Sequence, residues 1–430
     1  MDGRPFRADP SAAPSDDGAA LDMHGLGAPK IPDMRFRTLF ARARAESGRR
    51  WWEILWDFAP LQRFPNHLML IEYFGYRLFE WERLSPEARG RYVGFLGQRA
   101  LNRRLNRDAT PPGLWGDKLL FDALMRGAGL PVPRLQAVVG GPAVADPGAA
   151  RVAASAQAIA AFLREAARYP LFGKPNRGEQ SRGVLSLSAY EPGIDALRLG
   201  DGRALAVETA AAAIAEVAAL EGYLLQDRLA PHPAIAEVSA GGLNTVRFVT
   251  ARGRGAAEIL YAVWKIAAPG APTDDGLFPG ALKALIDPET GRVTRAQQGA
   301  WIDAKILEAH PATGATLVGR TLPDWATARD TVLKAHALVP EFRILGWDLA
   351  PTAAGPVLLE GNGDPGHRVY QTASGAGVLT DRFRALIAEI QADQADRRRA
   401  RRRVKRLRAG AFRKALGRAA LHDLFGLGDR

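Results

Sequence analysis

The segment from Ile344 to Asn362 constrains the fold and chemistry of this chain more than any other. It reads as two apolar runs joined by a turn, with Asp348 in the first run and Glu360 and Asn362 two apart at the end of the second. Residues two apart on a strand share a face. Two carboxylates and an amide oxygen suit Mg²⁺, which prefers oxygen ligands and keeps positions for water and phosphates. A hairpin with acidic residues at its mouth is the alternative interpretation.

A second constellation lies upstream, where a short apolar strand leads to Lys174 and then to a loop that contains Gly178, Ser181 and Gly183. Glycine lets backbone N–H groups approach phosphates closely, and lysine supplies a compact positive charge. The spacing fits neither the Walker loop nor the dinucleotide-binding glycine motif. The pattern predicts a loop that covers phosphates, with an ordinary lysine beside a hairpin turn as the alternative.

Taken in chain order, these motifs resemble the ATP-grasp superfamily, and more closely its branch associated with sugar transfer and exopolysaccharide clusters, which is related to α-L-glutamate ligases. The resemblance covers roughly residues 115 to 385. It is also carried by the pair Asp117-Lys118, the stretch Leu224-Leu-Gln-Asp-Arg-Leu229 and the strand Asn244-Thr-Val-Arg247. The resemblance implies an α+β fold of the ATP-grasp type, in which two α+β subdomains grip ATP, preceded by a helical N-terminal subdomain.

The resemblance implies a nucleotide site on the N-terminal side of the cleft. Lys118 and Lys174 would contact the α- and β-phosphates of ATP. The backbone of Gln226, Asp227 and Leu229 would hold adenine, with Asp227 also able to reach the ribose hydroxyls. The glycine-bearing loop after Lys174 would close over the site as a lid and exclude water.

On the other side of the cleft, Mg²⁺ held by Asp348, Glu360 and Asn362 would bridge the β- and γ-phosphates, and Arg247 would stabilise charge on the transferred group. Asn244 lies three residues before Arg247, so on one strand the two face opposite sides and Arg247 is the stronger candidate. Lys265 stands where relatives tend to have an arginine. It either binds phosphate or is a solvated lysine on a strand.

For function, the resemblance implies an ATP- and Mg²⁺-dependent ligase that joins a carboxylate to an amine through an acyl phosphate. The expected substrate is a small molecule or glycan precursor in the biosynthesis of cell-surface polysaccharide. The same phosphate machinery would serve a small-molecule or sugar kinase, and a noncatalytic nucleotide-binding scaffold at the membrane is a third interpretation. The chain has no cysteine, which excludes disulfides, thiolate metal sites and thiol nucleophiles.

The basic character of the chain belongs to one segment. The twelve Lys and Arg residues between Arg397 and Arg418, with no acidic residue among them, equal the whole formal net charge of +12. The rest of the chain is therefore balanced and gives no reason to expect a specific nucleic-acid partner. A basic helix with a modest apolar stripe suits an anionic membrane surface. A solvated helical extension is the alternative.

The pattern along the chain predicts four parts: a disordered leader at 1–33, a helical subdomain at 34–110, the ATP-grasp domain at 111–390 and a basic helical tail at 391–430. The stripe of Trp51, Trp52 and Trp56 is more typical of a helical core than of a sugar-stacking platform. Alanine-rich helices are expected at Ala149–Arg168 and Ala204–Leu220. The chain has no run of eighteen apolar residues and no compact apolar signal sequence, which predicts a cytoplasmic protein. The basic tail would allow peripheral contact with the inner membrane face.

Overall fold

The computed structural model of the protein describes residues 36–109, 112–140, 148–177, 183–200, 202–239, 243–268, 280–299 and 301–425. The predicted leader at 1–33 lies outside these residues, and so do Gly178 and Ser181 of the predicted phosphate loop. No helix in the described ranges combines the length and the apolar character needed to cross a bilayer.

The described chain begins with short helices. They are α1 (Phe36–Ser47), α2 (Trp51–Phe58), α3 (Leu70–Gly75), α4 (Pro86–Arg89) and α5 (Phe95–Leu105). Ile54 and Phe58, four apart on α2, are buried with Tyr73 in the core of this region. The interpretation of the tryptophans as core residues is wrong, because they occupy the outer side of α2 and Trp56 is 78% exposed.

The first sheet is built from the next elements. They are α6 (Lys118–Gly127), β1 (Leu135–Val139), β2 (Ala150–Val152), α7 (Ala156–Glu165), β3 (Leu171–Pro175), β4 (Leu185–Glu191), β5 (Ala196–Leu199), β6 (Ala204–Ala206), α8 (Val207–Glu221) and β7 (Tyr223–Asp227). The strand order is β2-β1-β7-β3-β4-β5-β6. Only the β1–β2 pair among these described strands is parallel. Helices α7 and α8 bury their apolar sides on one face of the sheet.

Both alanine-rich helices are shorter than the sequence predicts. The chain from 150 to 152 pairs with β1, and the chain from 204 to 206 pairs with β5, so each segment opens with a strand before its helix begins. Alanine favours helix only weakly, and hydrogen bonding to a neighbouring strand overrides that preference.

The second sheet follows. Its elements and the helices around it are α9 (Ala236–Ser239), β8 (Thr245–Arg252), β9 (Ala257–Ile266), β10 (Leu282–Ile286), β11 (Val293–Gln298), β12 (Lys305–Leu307), α10 (Trp325–Ala337), β13 (Ile344–Thr352), β14 (Gly355–Asn362), α11 (Arg368–Ser374) and α12 (Asp381–Phe425). The strand order is β12-β11-β10-β9-β8-β13-β14, with antiparallel pairing throughout. The α+β class is therefore confirmed.

Different elements pack against the two faces of the second sheet. One face carries Trp264 and Trp347 and packs on α10 in the largest apolar core. At one end of the opposite face, Tyr261 and Ile344 pack with Phe383 of α12 and with residues of α5 and α11. The other end of that face is polar, and it carries the candidate site.

A tight contact joins the region before α6 to the last strand. Trp115, in the 3-10 turn Pro112–Gly116, lies against Gly361 of β14, where a Cβ would overlap its indole ring. The same indole packs edge-on against Trp347, with ring centroids 5.5 Å apart. This packing places the N-terminus of α6 beside the strand that carries the predicted metal donors.

Candidate active site

The predicted metal donors share one face of the second sheet. Asp348 of β13 lies directly opposite Glu360 of β14, and Asn362 lies opposite Gly346. Because Gly346 is two residues before Asp348, the side chains of Asp348, Glu360 and Asn362 project together. A Cβ on Gly346 would come within 3.0 Å of Pro365 Cβ, so glycine here lets the loop after β14 pack closely on β13.

Asp348 forms a buried ion-pair network with two cations. Arg247, directly opposite it on β8, donates from Nε to Oδ1 at 2.5 Å and from Nη2 to Oδ2 at 2.9 Å. Lys265 Nζ of β9 donates to Oδ2 at 3.1 Å. Burial alone would raise the pKa of Asp348, but the positive charges and hydrogen bonds of Arg247 and Lys265 outweigh it and hold the pKa well below its usual range. Asp348 is therefore ionised at neutral pH.

The pKa of Glu360 is shifted in the opposite direction, above its usual value. Burial raises the pKa of its carboxyl, the adjacent charge of Asp348 raises it further, and the charges of Arg247, Lys265 and Lys118 offset only part of the shift. Two neighbouring buried carboxylates disfavour each other's ionised form. A divalent cation between the two carboxylates would offset their mutual repulsion.

The donor set fits Mg²⁺. The described residues contain no group of three His, Cys, Asp or Glu that could hold a metal ion. The candidate set is instead two carboxylates, Asp348 and Glu360, with the amide oxygen of Asn362 on the same face. Asn362 Oδ1 accepts a hydrogen bond from the backbone N–H of Asp364 at 2.9 Å, which fixes its orientation and uses one of its two lone pairs. An all-oxygen set with few protein ligands matches the preference of Mg²⁺ for retained water and phosphate oxygens.

Lys118 of α6 and Lys174 of β3 act electrostatically on Glu360 or are acted on by it. Burial lowers the pKa of the Lys174 ammonium to about 8, the nearby carboxylate of Glu360 partly opposes that shift, and the charge of Lys118 adds to it. Lys118 also acts on the pKa of Glu360. Both predicted lysines, on α6 and β3, therefore lie within electrostatic range of Glu360 on β14.

Asn176 was missed by the sequence reasoning, and it fixes the position of both lysines. Its backbone carbonyl accepts from the N–H of Lys118 at 3.1 Å, and its Oδ1 accepts from the N–H of Leu119 at 2.9 Å. These bonds join the first turn of α6 to the residue two positions after Lys174. The sequence contained a signal for this contact, because Asn176 directly follows β3 and the first N–H groups of α6 need acceptors. The sequence does not show that the end of β3 meets the start of α6.

The predicted adenine-binding segment lies at the end of β7. Gln226 is buried opposite Phe172 of β3, on the same face as Lys174. Asp227 projects to the other face, where its carboxylate accepts from Gln136 Nε2 at 2.6 Å and lies 3.6 Å from the Arg168 guanidinium. The carboxylate of Asp227 is thus directed away from Lys174, and the geometry gives no support to a contact with ribose.

Two further predicted nucleotide-site residues flank this region. Leu229 is partly buried in the segment that leaves β7. Gly183 has a φ of 71°, a conformation that favours glycine, and its carbonyl accepts from the Tyr223 hydroxyl at 2.7 Å. The end of the predicted lid is therefore anchored to the first sheet.

The polar face continues away from the metal donors. Lys265 lies directly opposite Lys283 of β10, and Lys283 lies opposite Gln297 of β11. Together with Arg247, the two lysines give this part of the face a positive character that suits an anionic group. Asn244 has a different role, because its buried Oδ1 accepts from the backbone N–H of Ala267 at 3.0 Å.

Comparison with solved structures gives distant similarities. The D-alanine-D-alanine ligase from Coxiella burnetii has 12% identity and a TM-score of 0.41, covering 73% of this chain and 68% of that one. The L-amino acid ligase from Bacillus licheniformis has 11% identity and a TM-score of 0.34, covering 58% of this chain and 43% of that one. The D-alanine-D-alanine ligase from Helicobacter pylori has 10% identity and a TM-score of 0.34, covering 64% of this chain and 60% of that one. The chain thus spans less than two thirds of the length of the last two proteins.

No curated protein matches this sequence significantly. A family model described as sugar-transfer associated ATP-grasp matches residues 98–386, which include every predicted site residue. The match begins within α5 and ends within α12, so it takes in both sheets. The predicted membership is confirmed: the chain belongs to the sugar-transfer-associated ATP-grasp family.

Proposed function

We propose that this protein is an ATP- and Mg²⁺-dependent ligase that joins a carboxylate to an amine through an acyl phosphate. The observation that carries the proposal is that Lys118 of α6 and Lys174 of β3 both lie within electrostatic range of Glu360, which pairs with Asp348 on the second sheet. The association of the family with sugar transfer supports a small-molecule or glycan-precursor substrate in cell-surface polysaccharide biosynthesis.

The lysines would bind the triphosphate of ATP. A pKa of about 8 keeps the Lys174 ammonium mostly protonated at neutral pH, and a phosphate beside it would raise that pKa again. Because Lys174 is partly buried, its charge would act on the phosphates with reduced screening by water. Bound Mg²⁺, held by Asp348, Glu360 and Asn362, would supply positive charge beside the β- and γ-phosphates.

The remaining cations would act on the transferred group. An oxygen of the substrate carboxylate would form a bond to the γ-phosphorus as the bond to the leaving ADP oxygen breaks. The amine nitrogen would then attack the acyl carbon and lose a proton, and inorganic phosphate would leave. Arg247 and Lys265 both form ion pairs with Asp348, which would orient them to stabilise negative charge on the phosphoryl group.

A kinase is the second candidate, because the positive face formed by Arg247, Lys265 and Lys283 would equally suit transfer of a phosphoryl group to a hydroxyl. The convergence of both lysines with the metal donors argues against a noncatalytic scaffold, which would need neither.

The test is ADP formation with Mg²⁺ and a panel of acids and amines. A ligase forms ADP that depends on both substrates, and hydroxylamine in place of the amine traps the acyl phosphate as a hydroxamate. A kinase instead gives a stable phosphorylated product without an amine. ATP turnover that depends on neither acid nor hydroxyl acceptor would contradict both proposals.

Variants connect the activity to the site. Asp348→Ala, Glu360→Ala and Asn362→Ala should each abolish turnover. Glu258→Ala is the matched control, because Glu258 is an ion-paired carboxylate on the same sheet, bound to Arg382 and outside the polar face. Unchanged turnover in all three site variants would rule out the metal assignment.

A further inference from the structure

The outer side of α5 forms a surface outside the candidate active site. On this helix Gln98, Leu101, Asn102 and Leu105 are buried with Gly97 against the rest of the molecule. The exposed side chains are Phe95, Leu96, Arg99, Ala100, Arg103 and Arg104. Phe95 is 48% exposed and Leu96 is 55% exposed, so two large apolar groups and three cations share one helix face.

Two more exposed apolar side chains lie beside this helix, Met69 near its N-terminal end and Phe64 near its C-terminal end. The backbone N–H groups of Met69 and Phe95 donate to the two carboxylate oxygens of Glu72, at 2.8 and 2.7 Å, so these residues are neighbours. Phe64 lies beside Arg104, whose guanidinium is 5.5 Å from the ring centroid. Phe64, Met69, Phe95 and Leu96, all exposed, are called here the α5 apolar cluster.

Arginines surround this cluster and continue into α12. Arg99 lies 5.4 Å from the ring of Phe95. Partial burial and the nearby charge of Arg398 lower the pKa of Arg107, which shows that the C-terminal end of α5 adjoins α12. Arg401 of α12 lies 4.0 Å from Asp108. The positive surface is therefore continuous from α5 to the basic part of α12.

In the basic part of α12, Arg397, Arg399 and Arg401 lie beside carboxylates of the protein, and the segment as a whole carries a large excess of positive charge. Residues 397–408 are all exposed, and the chain contains no acidic residue between Arg397 and Arg418. Arginines four apart, such as Arg398 with Arg402 and Arg399 with Arg403, repel each other on one helix face. A surface that carries many negative charges would remove this repulsion, while a small anion would neutralise only one or two positions.

We infer that this surface docks the protein on an anionic lipid bilayer. The α5 apolar cluster would insert among the headgroups, and the arginines of α5 and α12 would contact lipid phosphates. Exposed phenylalanine and leucine beside arginine are typical of helices that lie in the membrane interface. A nucleic acid would use the arginines and would gain little from Leu96 and Met69. This inference does not depend on the proposed enzymatic activity.

Sedimentation with vesicles tests the inference on the full chain. The vesicles contain phosphatidylcholine with or without phosphatidylglycerol. The wild type should bind only the anionic vesicles, and added salt should weaken binding. Replacing Arg103 and Arg107 by Gln should weaken it about 25-fold, since each charge near such a surface contributes about fivefold.

The apolar cluster has its own variant and control. Phe95→Ser with Leu96→Ser should weaken binding to anionic vesicles about tenfold through lost insertion. Leu220→Ser should leave it unchanged, because Leu220 is 87% exposed on α8, away from this surface. All of these residues are exposed, so circular dichroism and Tm should match the wild type.

Three results would overturn the inference. One is vesicle binding that is changed neither by the variant at Arg103 and Arg107 nor by the variant at Phe95 and Leu96. Another is equal binding to neutral and anionic vesicles. The third is tighter binding of a single-stranded oligonucleotide than of anionic vesicles, weakened by the arginine variant and unaffected by the apolar variant, which would identify the surface as a nucleic-acid site.

Discussion

The side-chain nitrogen of Asn102 lies 2.7 Å from a carboxylate oxygen of Asp364, and this contact joins α5 to the loop that follows the last metal donor. The same nitrogen donates to the carbonyl of Pro365 at 3.0 Å, and Asn102 Oδ1 lies 3.2 Å from His367 Nε2. The backbone N–H of Asp364 in turn donates to Asn362 Oδ1. The N-terminal helices therefore help to orient a proposed ligand of Mg²⁺.

Replacing Asn102 by Ala should weaken the binding of Mg²⁺ and ATP. The loss should be about tenfold, because residues that orient metal ligands typically affect affinity by that much or more. Unpaired buried groups left at Pro365 and His367 should also cost about 1–3 kcal/mol of stability. Calorimetry with a nonhydrolysable ATP analogue measures the affinity, and urea unfolding measures the stability.

Asn66→Ala is the matched control. Asn66 Nδ2 donates to the carbonyls of Gly90 and Tyr92, at 2.8 and 2.6 Å, within the N-terminal helices. The control should lose comparable stability and keep its affinity for the nucleotide. Equal affinities in both variants and the wild type would show that α5 does not orient the metal ligand.

Glu360→Gln should separate stability from activity. The substitution removes a buried negative charge that burial and the neighbouring Asp348 both disfavour, as the raised pKa of Glu360 shows. In the absence of Mg²⁺ the variant should therefore unfold at a higher temperature than the wild type, by about 2 °C or more. It should also lose Mg²⁺-dependent turnover. Differential scanning calorimetry with and without Mg²⁺ makes the comparison.

Asp348→Asn should have the opposite effect on stability. It leaves the buried cations Arg247 and Lys265 without their shared carboxylate. Breaking one partner of a buried ion pair costs about 3–5 kcal/mol. Stabilisation by both substitutions, or by neither, would contradict the assignment of Asp348 as the ionised and Glu360 as the disfavoured carboxylate.

Proton uptake should accompany ATP binding near pH 8. Burial lowers the pKa of Lys174 to about 8, so in the free protein this ammonium begins to lose its proton there. Bound phosphate favours the charged form, so binding returns the proton and affinity should fall as the pH rises through this range. Calorimetry in buffers of different ionisation enthalpy measures the uptake.

Lys174→Met should abolish this uptake, while Lys305→Met should retain it, because Lys305 is exposed on the edge strand β12. If the wild type binds ATP near pH 8 without taking up a proton, Lys174 does not contact the phosphates.

The parts of the fold set by local pattern could be predicted from the sequence. The two apolar runs around a turn predict a hairpin, and β13 and β14 lie at Ile344–Thr352 and Gly355–Asn362. The strand that carries Lys174 has the predicted bounds of Leu171–Pro175. In each case, neighbouring residues determine both the strand and the face on which its polar side chains project.

The pairing of side chains across the sheets could not be predicted from the sequence. The ion pair of Arg247 with Asp348 joins residues 101 apart in the chain, and the bond from Leu119 to Asn176 joins residues 57 apart. Such contacts depend on the strand order, which local pattern does not specify. Family resemblance assigned Arg247 to the transferred phosphoryl group and gave no indication that Asp348 orients it.

A buried histidine beneath the site makes the protein sensitive to acid. Trp347 Nε1 donates to Thr250 Oγ1 at 2.8 Å, and Thr250 Oγ1 lies 2.7 Å from His336 Nδ1. His336 Nε2 lies 3.0 Å from the carbonyl of Phe342. With the proton on Nε2, the ring donates to Phe342 and accepts from Thr250. Protonation of Nδ1 would remove that acceptor, so the folded state favours the neutral imidazole.

Stability should therefore fall as the pH drops from about 6.5 towards 4. Burial lowers the pKa of His336 from 6.5 to about 4, so over this range the unfolded chain takes up a proton that the folded chain does not. Neutral His336 makes its full contribution to the free energy of unfolding above pH 6.5. About 3 kcal/mol of that contribution should be lost by pH 4. Urea unfolding across this range measures the slope. His336→Gln should flatten it, with a remainder from His367, whose pKa burial lowers to about 3. An identical slope in wild type and variant would show that His336 titrates equally in the folded and unfolded chains.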